Sequence, residues 1–347
     1  MSLLLIAGGR TGEHDVSVAS ANSIAAAVDR TKYDVIRILI DQAGVWRNSD
    51  GEIRHLLPVP GLRHLVDAHG ERAEPIDVVF PIVHGTFGED GCLQGLLELA
   101  ELPYVGSGVL GSALGMDKEL QKRVLRSAGL PVVDYVAFQA WEWLNDRAAI
   151  LNRIEQDLTY PCFVKPVNLG SSVGISKVHN KTELIEGVEL ARKYDRKIIV
   201  EQAVVAAREI ECAVLGGHEP KVSILGEIKP SHEFYDYEAK YESDRTELTI
   251  PADLPEETTI ALRDLALQTF SALEANGLGR VDFLLDGQSN QAVVNEINTL
   301  PGFTAFSMYP KLWEASGICY AALIDDLVQL ALTTADEKRG LCRVKTL

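Results

Sequence analysis

The chain has 347 residues, of which 46% are hydrophobic and 24% are charged, and its formal net charge is −17. This composition is typical of a globular protein with two or three domains, and the negative charge argues against nucleic acid or an anionic membrane surface as a partner. The sequence has no run of about 18 apolar residues and no basic region before its short N-terminal apolar stretch, so we expect a cytoplasmic protein that does not span a membrane. Its five scattered cysteines form no CxxC or Cys/His cluster, which indicates a reducing compartment.

The N-terminal part of the sequence alternates short apolar strands with helices. Residues 3–9, 33–41 and 76–85 are apolar runs, while residues 16–29 and 91–102 carry helical patterns. A strand, a helix and a second strand in this order form a βαβ unit, so we expect an α/β domain with a parallel sheet.

Two polar, glycine-containing turns follow the first and third of these strands, AGGRTGEHD at 7–15 and HGTFGEDG at 84–91. Because ligands bind beyond the carboxyl ends of parallel strands, these turns place Glu13 and His84 at one candidate rim. Each residue also has a structural interpretation, since Glu13 suits the positive end of a helix dipole and His84 can simply hold a loop carbonyl. The glycines do not have the G-x-G-x-x-G spacing, which disfavours a nicotinamide dinucleotide site.

The middle of the sequence predicts a smaller and more antiparallel α+β unit. An amphipathic helix over 112–129 ends at Gly129 and carries Lys118 in its first turns. The elements after it are a strand, a second strand that completes a hairpin, a helix and a further strand, at 160–167, 175–180, 182–195 and 197–204.

The loop NLGSSVG, at 168–174, joins the two strands of that hairpin. Glycines let backbone N–H groups approach a phosphate closely, and the two serines add further donors. Lys165 lies just before the loop, so the pattern favours phosphate binding, although a simple tight turn is the alternative. The loop is not a Walker A motif, because it lies between two strands and the sequence has no G-x-x-x-x-G-K-[ST].

The C-terminal part predicts a second antiparallel unit. Residues 231–251 mix aromatic and charged side chains without periodicity, so we expect a lid over the site. We expect the tail to be frayed from about residue 334. The other predicted elements are strands at 208–216 and 221–230, a helix ending at Gly277 over 256–277, a hairpin at 281–286 and 291–298, and a helix at 319–333.

The hairpin carries polar residues inside otherwise apolar strands. Glu296 and Asn298 are two positions apart and therefore face the same side. Folding about the turn at 287–290 brings Asp282 opposite residue 295 or 296. Two carboxylates and an amide oxygen suit a hard cation such as Mg²⁺, which leaves coordination positions for phosphates. The alternative is an ordinary hairpin with polar residues on its solvent face.

Several long motifs, in this order, resemble those of D-alanine–D-alanine ligases, a family of the ATP-grasp superfamily. The resemblance covers nearly the whole chain. The motifs are AGGRTGEHDVSVASA (7–21), HGTFGEDG (84–91), MDK (116–118), FVKPVNLGSSVGIS (163–176), EFYDYEAKY (233–241), GRVDF (279–283) and NEINTLPGFT (295–304).

The resemblance implies an ATP-grasp fold with three domains. These are an N-terminal parallel-sheet domain at 1–106, a central lobe at 107–204, and a C-terminal lobe at 205–347 with a lid at 231–245. ATP is expected between the two lobes, with its phosphates held by Lys118 and Lys165. The implied nucleotide-binding residues are Lys118, Lys165, Ser172, Val173, Glu201, Gln202, Ala203, Val204, Glu209, Phe234, Lys240 and Leu284. Asp282, Glu296 and Asn298 are expected to bind two Mg²⁺ or Mn²⁺ ions.

The implied reaction joins two D-alanine molecules into D-alanyl-D-alanine for peptidoglycan precursor synthesis, through an acyl phosphate. Glu13 is expected to bind the ammonium of the first D-alanine, with His84 near its carboxylate. Arg280 and the backbone N–H of Gly302 are expected to stabilise the oxyanion, and Ser307 to bind the second carboxylate. The remaining implied catalytic residues are Ser171 and Tyr241, which with Glu13 lock the lid.

Two alternatives remain at this point. A related ligase takes D-serine or D-lactate as its second substrate, although Tyr241 in the lid favours D-alanine over D-lactate. A nucleotide-binding sensor without turnover is the other alternative, but every charged position that the chemistry needs is present. Relatives commonly form dimers through the N-terminal region, so the resemblance also implies a homodimer.

Overall fold

The computed structural model describes residues 1–170, 173–229, 247–304 and 306–341, and three main sheets follow one another along these residues. The helices are α1 His14–Ala27, α2 Cys92–Leu99, α3 Val109–Met116, α4 Lys118–Ser127, α5 Ala140–Asn145, α6 Arg147–Asp157, α7 Lys181–Ala191, α8 Glu256–Ala272, α9 Met308–Ala315 and α10 Tyr320–Arg339. The strands are β1 Ser2–Gly8, β2 Asp34–Ile40, β3 Trp46–Arg47, β4 His64–Val66, β5 Arg72–Pro75, β6 Val78–Pro81, β7 Tyr135–Gln139, β8 Cys162–Pro166, β9 Ser176–Val178, β10 Lys197–Gln202, β11 Arg208–Gly216, β12 Lys221–Lys229, β13 Glu247–Thr249, β14 Gly277–Leu285 and β15 Ala292–Asn298.

The first sheet has the strand order β3-β2-β1-β6, and β1 runs parallel to both β2 and β6. Leu3 and Leu5 pack with α1 and α10 on one face, while Leu4 and Ile6 pack with α2 on the other. A strand covered on both faces needs an unbroken apolar run, which is what β1 carries. The predicted βαβ opening is confirmed. Strands β3, β4 and β5 were not predicted, because each is too short to show a period.

The second sheet, in the order β7-β10-β8-β9, is entirely antiparallel. Helices α5, α6 and α7 cover one face, where Val164 of β8 and Val200 of β10 enter their core. Because side chains alternate along a strand, the neighbouring residues Lys165 and Glu201 point to the face that these helices leave open. The predicted hairpin around residues 168–174 is confirmed.

The third sheet, in the order β13-β12-β11-β14-β15, is also antiparallel. Helix α8 packs on one face, where Phe270 meets Val281 and Phe283 of β14. The same alternation directs Arg280 and Asp282 to the opposite face. The fold therefore turns the polar residues of two sheets away from their own helices.

The helix predicted over 112–129 is two helices, so this prediction was wrong. Asp117 breaks the run with an extended backbone conformation, and its side chain accepts a hydrogen bond from the backbone N–H of Leu120. Asp117 thus serves as the N-cap of α4 and makes Lys118 the first residue of that helix.

Three other boundaries differ from the predictions. The predicted lid at 231–245 lies outside the described residues. Residues 247–249, in the segment predicted to be irregular over 231–251, form strand β13 beside β12. Helix α8 stops at Ala272, and Gly277 opens strand β14 instead of ending the helix. The tail is not frayed from residue 334, because α10 continues to Arg339 while Lys338 pairs with Glu98 and lies over the ring of Tyr104.

The three main sheets fall within the three predicted domain ranges, but the boundaries at 106 and 204 stay predictions. Among the described residues no single helix is long and apolar enough to cross a membrane. Helices α9 and α10, which are bent relative to each other, reach the required length and apolar composition only when they are counted together.

Candidate active site

Three carboxylates form a row across the open face of the third sheet. Asp282 of β14 is the direct register partner of Glu296 on β15 and of Glu211 on β11. The prediction that Asp282 lies opposite residue 295 or 296 is confirmed at Glu296. A register shift just after Asp282 ends this alignment, so the facing pair is a local feature of the hairpin.

Two cations pair with the three carboxylates of this row. The guanidinium of Arg280 donates from Nε and Nη2 to the two oxygens of Asp282, both at 2.7 Å, and its Nε lies 2.9 Å from Glu211 Oε2. The ammonium of Lys118 lies 3.3 Å from Glu296 Oε2. Like charges on adjacent strands repel each other, so the arrangement depends on cations to hold it together.

The donor set of the row suits a divalent cation. Asn298 Nδ2 donates to Asp282 Oδ2 at 3.1 Å, which brings all three predicted ligands to one patch. Oxygen donors of this kind bind Mg²⁺ or Mn²⁺. Within the described part of the chain no group of three histidine, cysteine, aspartate or glutamate side chains is arranged to hold a metal ion by itself.

Lys118 connects this patch to the loop of the second sheet. Its Nζ donates to the carbonyl oxygen of Leu169 at 2.8 Å while it pairs with Glu296. Because Lys118 opens helix α4, the Asp117 cap sets where this ammonium emerges. One lysine therefore touches both the glycine loop and the carboxylate row.

A buried set of charges lies on the second sheet. Glu201 lies 2.6 Å from Nζ of Lys165 and 3.1 Å from Nζ of Lys122, and the side chains of Glu201 and Lys122 are 3% and 1% exposed. Burial raises the pKa of Glu201, but Lys122 and Lys165 outweigh burial and hold that pKa below its usual value. Burial likewise lowers the pKa of Lys165, yet Glu201 and Glu296 outweigh it and raise that pKa above the ordinary lysine value.

A first cavity lies between the open faces of the second and third sheets. Eight of the predicted nucleotide or metal residues line it, namely Lys118, Lys165, Glu201, Gln202, Glu209, Leu284, Asp282 and Glu296. Four other described residues of the prediction do not line it: Asn298 lines the second cavity, and Val173, Ala203 and Val204 line neither. The cavity thus has lysines on one wall and carboxylates on the other, as a metal-bound polyphosphate requires.

A second cavity adjoins the first. Six residues line both cavities, so the two share a wall made of Lys118, Leu169, Gly170, Glu211, Arg280 and Glu296. The second cavity is also lined by the predicted substrate residues Glu13, His84, Gly302 and Ser307. The structure therefore brings the two predicted sites together at one boundary.

Glu13 lies where three glycine-containing segments meet. A Cβ atom added to Gly170 would lie 2.9 Å from Glu13 Oε2, and one added to Gly85 would lie 2.7 Å from the same oxygen. Only glycine leaves room for the Glu13 carboxylate at these two positions. Glu13 precedes α1 but makes no side-chain capping hydrogen bond.

His84 is buried between α1 and the turn after β15. Its Nδ1 lies 3.1 Å from the carbonyl oxygen of Leu300, and its Nε2 lies 3.3 Å from Ser20 Oγ. Because a carbonyl oxygen only accepts, Nδ1 carries the proton and Nε2 accepts from Ser20. Burial lowers the pKa of His84, although Glu13 and the Leu300 carbonyl act in the opposite direction. A neutral ring that holds a loop carbonyl is the structural role considered for His84 above.

Ser307 and Gly302 are held together by the turn that connects β15 to α9. Ser307 Oγ accepts from the backbone N–H of Thr304 at 3.0 Å and lies 2.8 Å from Thr304 Oγ1. A Cβ atom on Gly302 would lie 2.9 Å from Ser307 Oγ. Both Gly302 and Ser307 line the second cavity.

Five predicted residues lie outside the described part of the chain, so their positions stay predictions. They are Ser171, Ser172, Phe234, Lys240 and Tyr241.

Three residues of the site were not singled out from the sequence. Lys122 follows Lys118 by one helical turn, which was the available signal. Glu211 follows Glu209 by two positions in a buried strand, so alternation places both on one face. Glu89 lies in HGTFGEDG, where its Oε2 accepts from the backbone N–H of Gly85 at 2.6 Å, and burial, then the Glu13 carboxylate, raises its pKa well above the usual value.

Two antiparallel sheets that close on a lysine- and carboxylate-lined cavity, next to a parallel-sheet domain, define an ATP-grasp enzyme. Family models described as the N-terminus and the C-terminus of D-ala D-ala ligase match residues 2–107 and 124–329. The chain belongs to the D-alanine–D-alanine ligase family.

Curated relatives and solved structures agree with this assignment. The chain is 52% identical to a D-alanine–D-alanine ligase of Solibacter usitatus over 339 residues, which cover 98% of each chain. It is 48% identical to one of Natranaerobius thermophilus, with 95% of this chain and 94% of the relative covered.

Among solved structures, the chain is similar to the D-alanine–D-alanine ligase of Coxiella burnetii, with 37% identity, coverage of 98% and 97%, and a TM-score of 0.82. It is also similar to the VanG D-Ala:D-Ser ligase of Enterococcus faecalis, with 34% identity, coverage of 95% and 99%, and a TM-score of 0.86.

Proposed function

We propose that this protein uses ATP to join two D-alanine molecules into D-alanyl-D-alanine, a precursor of peptidoglycan. The observation that carries the proposal is the shared wall of the two cavities, where Lys118, Arg280 and Glu296 face both. A phosphoryl group in the first cavity and an amino-acid carboxylate in the second would meet at this wall. The family names of the curated relatives support the same reaction.

The first step joins two anions. A carboxylate oxygen of the first D-alanine attacks the γ-phosphorus of ATP, and ADP leaves, which gives an acyl phosphate. Lys118 and Lys165 are placed to neutralise the phosphates. When bound at Asp282, Glu296 and Asn298, divalent ions supply further positive charge to the phosphates.

The second step forms the amide bond. The amine of the second D-alanine attacks the acyl carbon, a proton is lost from the nitrogen, and inorganic phosphate leaves. Arg280 and the backbone N–H of Gly302 both border the second cavity and donate to the oxyanion that develops. Glu13 binds the ammonium of the first D-alanine, and the Ser307 hydroxyl binds the carboxylate of the second.

The contacts of Arg280 support its role in the second step. Its guanidinium is shared between Asp282 and Glu211. If Asp282 were to hold a divalent ion, Glu211 would remain as a partner of the guanidinium at the border of the two cavities. A guanidinium has five N–H donors, so donors beyond the one that faces Glu211 can serve the acyl oxygen.

The reaction is tested by incubating the full-length protein with ATP, Mg²⁺ and D-alanine, and measuring phosphate and D-alanyl-D-alanine together. We expect one phosphate per dipeptide and no dipeptide with L-alanine. Phosphate release without dipeptide, or an equal rate with L-alanine, contradicts the proposal.

A ligase that prefers D-serine as its second substrate is the main competing function, because one structural relative is described as a D-Ala:D-Ser ligase. The curated relatives named above, at 48% and 52% identity, are described as D-alanine–D-alanine ligases, and this favours D-alanine. Competition between D-alanine, D-serine and D-lactate distinguishes these substrates, and a larger kcat/KM for D-serine would favour the competing function. We also propose a homodimer, which sedimentation equilibrium tests.

A further inference from the structure

Lys122 is a buried cation that the reaction scheme above does not use. Its side chain is 1% exposed, and it lines neither of the two cavities. A lysine is almost never fully buried unless its charge is paired. Its position one turn after Lys118 in α4 places it behind the site, on the same side of the helix.

The ammonium of Lys122 contacts both lobes. It lies 3.1 Å from Glu201 Oε1 at the end of β10 in the second sheet. It also donates to the carbonyl oxygen of Asn295 on β15 in the third sheet, at 2.8 Å. The residue after Asn295 is Glu296, so one ammonium joins the lysine-bearing wall of the nucleotide cavity to its carboxylate-bearing wall.

Lys122 also sets the charge beside the phosphates. Glu201 is shared between Lys122 and Lys165. Burial lowers the pKa of Lys122, while the neighbouring Glu201 acts in the opposite direction. With both lysines protonated, the three groups together carry one net positive charge. Without Lys122, the charge of Glu201 cancels that of Lys165, and the set is neutral. Lys165 would then be held by a carboxylate that has no other cation beside it.

We propose that Lys122 is a positioning residue that makes Lys165 available to the phosphates of the nucleotide by sharing the charge of Glu201, while it joins the two lobes through Asn295. This inference rests on the proposed function, because it assumes that the first cavity binds a nucleotide. Lys122 touches neither substrate nor metal in this account. It acts through Glu201 and Lys165.

The test compares a charged ligand with an uncharged one. Adenosine shares the base and sugar of ADP but lacks the phosphates, so the ratio of the adenosine Kd to the ADP Kd reports the phosphate contribution alone. Both values are measured without divalent ions by isothermal titration calorimetry on the full-length protein, with adenosine measured by displacement of ADP. Loss of an adenine contact or of general packing weakens both ligands and leaves the ratio unchanged.

The informative variant is Lys122→Met, which keeps the length of the side chain and removes its charge. We expect the ADP Kd to rise about tenfold, with the adenosine Kd changing by less than about threefold, because a nearby charge acts through an effective dielectric near 20. The matched control is Lys181→Met, since Lys181 lies 2.9 Å from Glu155 on the surface of the same lobe and its side chain is 51% exposed. The control should leave the ratio unchanged.

The double variant Lys122→Met/Glu201→Gln removes the buried pair as a unit, which is tolerated far better than removal of one partner. It returns the set to one net positive charge, so we expect the ratio to recover to within about threefold of the native value. It also keeps the inference testable if Lys122→Met does not fold.

The inference is overturned if Lys122→Met weakens both ligands equally and so leaves the ratio of the adenosine Kd to the ADP Kd unchanged. It is also overturned if that ratio stays low in the double variant. Failure of the native chain to bind ADP is a different result, because it contradicts the nucleotide site itself and the proposed function with it.

Discussion

Asp282 on β14 and Glu296 on β15 are direct cross-strand partners, so their two carboxylates lie side by side on one face of the hairpin. Such a pair repels in the absence of cations. Here Arg280 binds the first carboxylate and Lys118 the second. Placing two carboxylates side by side is unfavourable for folding, but the same placement is favourable for binding a divalent ion. The other charged residues of the site are arranged around this pair.

Removing the charges of Asp282 and Glu296 should lower catalytic activity without a matching change in the stability of the fold. The double variant Asp282→Asn/Glu296→Gln removes the repulsion and the anionic ligands together. We expect Mg²⁺-dependent ATP turnover to fall on the order of 100-fold or more. The urea midpoint should change little, because the lost repulsion is offset by the lost pairs with Lys118 and Arg280. Turnover is measured by ADP release, and Asp264→Asn/Glu257→Gln on the exposed part of α8 serves as the matched control. Turnover within a few-fold of native would remove this pair from the site.

Gly170 should be intolerant of a methyl group although its backbone is not in the left-handed region. An added Cβ would lie 2.9 Å from Oε2 and 3.2 Å from Oε1 of Glu13. We expect Gly170→Ala to displace Glu13 and lower kcat/KM for D-alanine by about tenfold or more, with a smaller change in the KM for ATP.

The control for this variant is Gly95→Ala in helix α2. An added Cβ at Gly95 meets nothing within 4 Å, so activity should be unchanged and stability should rise by about 0.5–1 kcal/mol. Equal losses of activity in the two variants would mean that the Gly170 effect is not specific to Glu13.

The raised pKa of Glu89 should make the free energy of unfolding fall as pH rises. Its folded pKa is raised well above 4.5 by burial and by Glu13, so the folded state holds this proton more tightly than the unfolded state does. The resulting stability is fully present below the unfolded pKa and is lost as pH rises through the folded pKa. Glutamine can keep the acceptor for the N–H of Gly85 without carrying a charge.

We therefore expect Glu89→Gln to be more stable than the native protein at pH 7.5, with a difference that shrinks toward pH 4.5. Thermal denaturation across this range measures it. A difference that is constant with pH would show that the native carboxyl is ionised in both states.

Two substitutions at Asp117 should distinguish the stability that its capping hydrogen bond contributes from the stability that its ion pair contributes. Its side chain accepts from the N–H of Leu120 and also lies 2.8 Å from Nζ of Lys197. Asp117→Ala loses both interactions and should cost about 1–2 kcal/mol, while Asp117→Asn keeps the cap and should cost less than half as much. Chemical denaturation measures both variants. Equal costs would assign the stability to the ion pair instead of the cap.

The sequence predicted what depends on local period and turn chemistry. Alternation placed Glu296 and Asn298 on one face, and a short turn brought Asp282 beside them, because the hairpin is local in sequence. The resemblance of the motifs predicted nucleotide, metal and substrate residues. Most of those that the structure describes line one or both of the two cavities.

What the sequence did not predict depends on contacts between distant segments. Glu211 joins the carboxylate row because β11 pairs with β14, and no local pattern contains that neighbour. Lys122 has the sequence pattern of a solvated helix lysine, and only the approach of β10 and β15 buries it. Helix α10 continues past residue 334, and its Lys338 pairs there with Glu98, which is distant in the chain.

The acyl phosphate is tested most directly by isotope transfer. D-alanine labelled with ¹⁸O in its carboxylate is incubated with ATP, Mg²⁺ and the full-length protein, and the phosphate released is analysed by mass spectrometry. If a carboxylate oxygen attacks the γ-phosphorus at the wall formed by Lys118, Arg280 and Glu296, each phosphate carries one ¹⁸O from D-alanine. Dipeptide formation accompanied by unlabelled phosphate would contradict this mechanism.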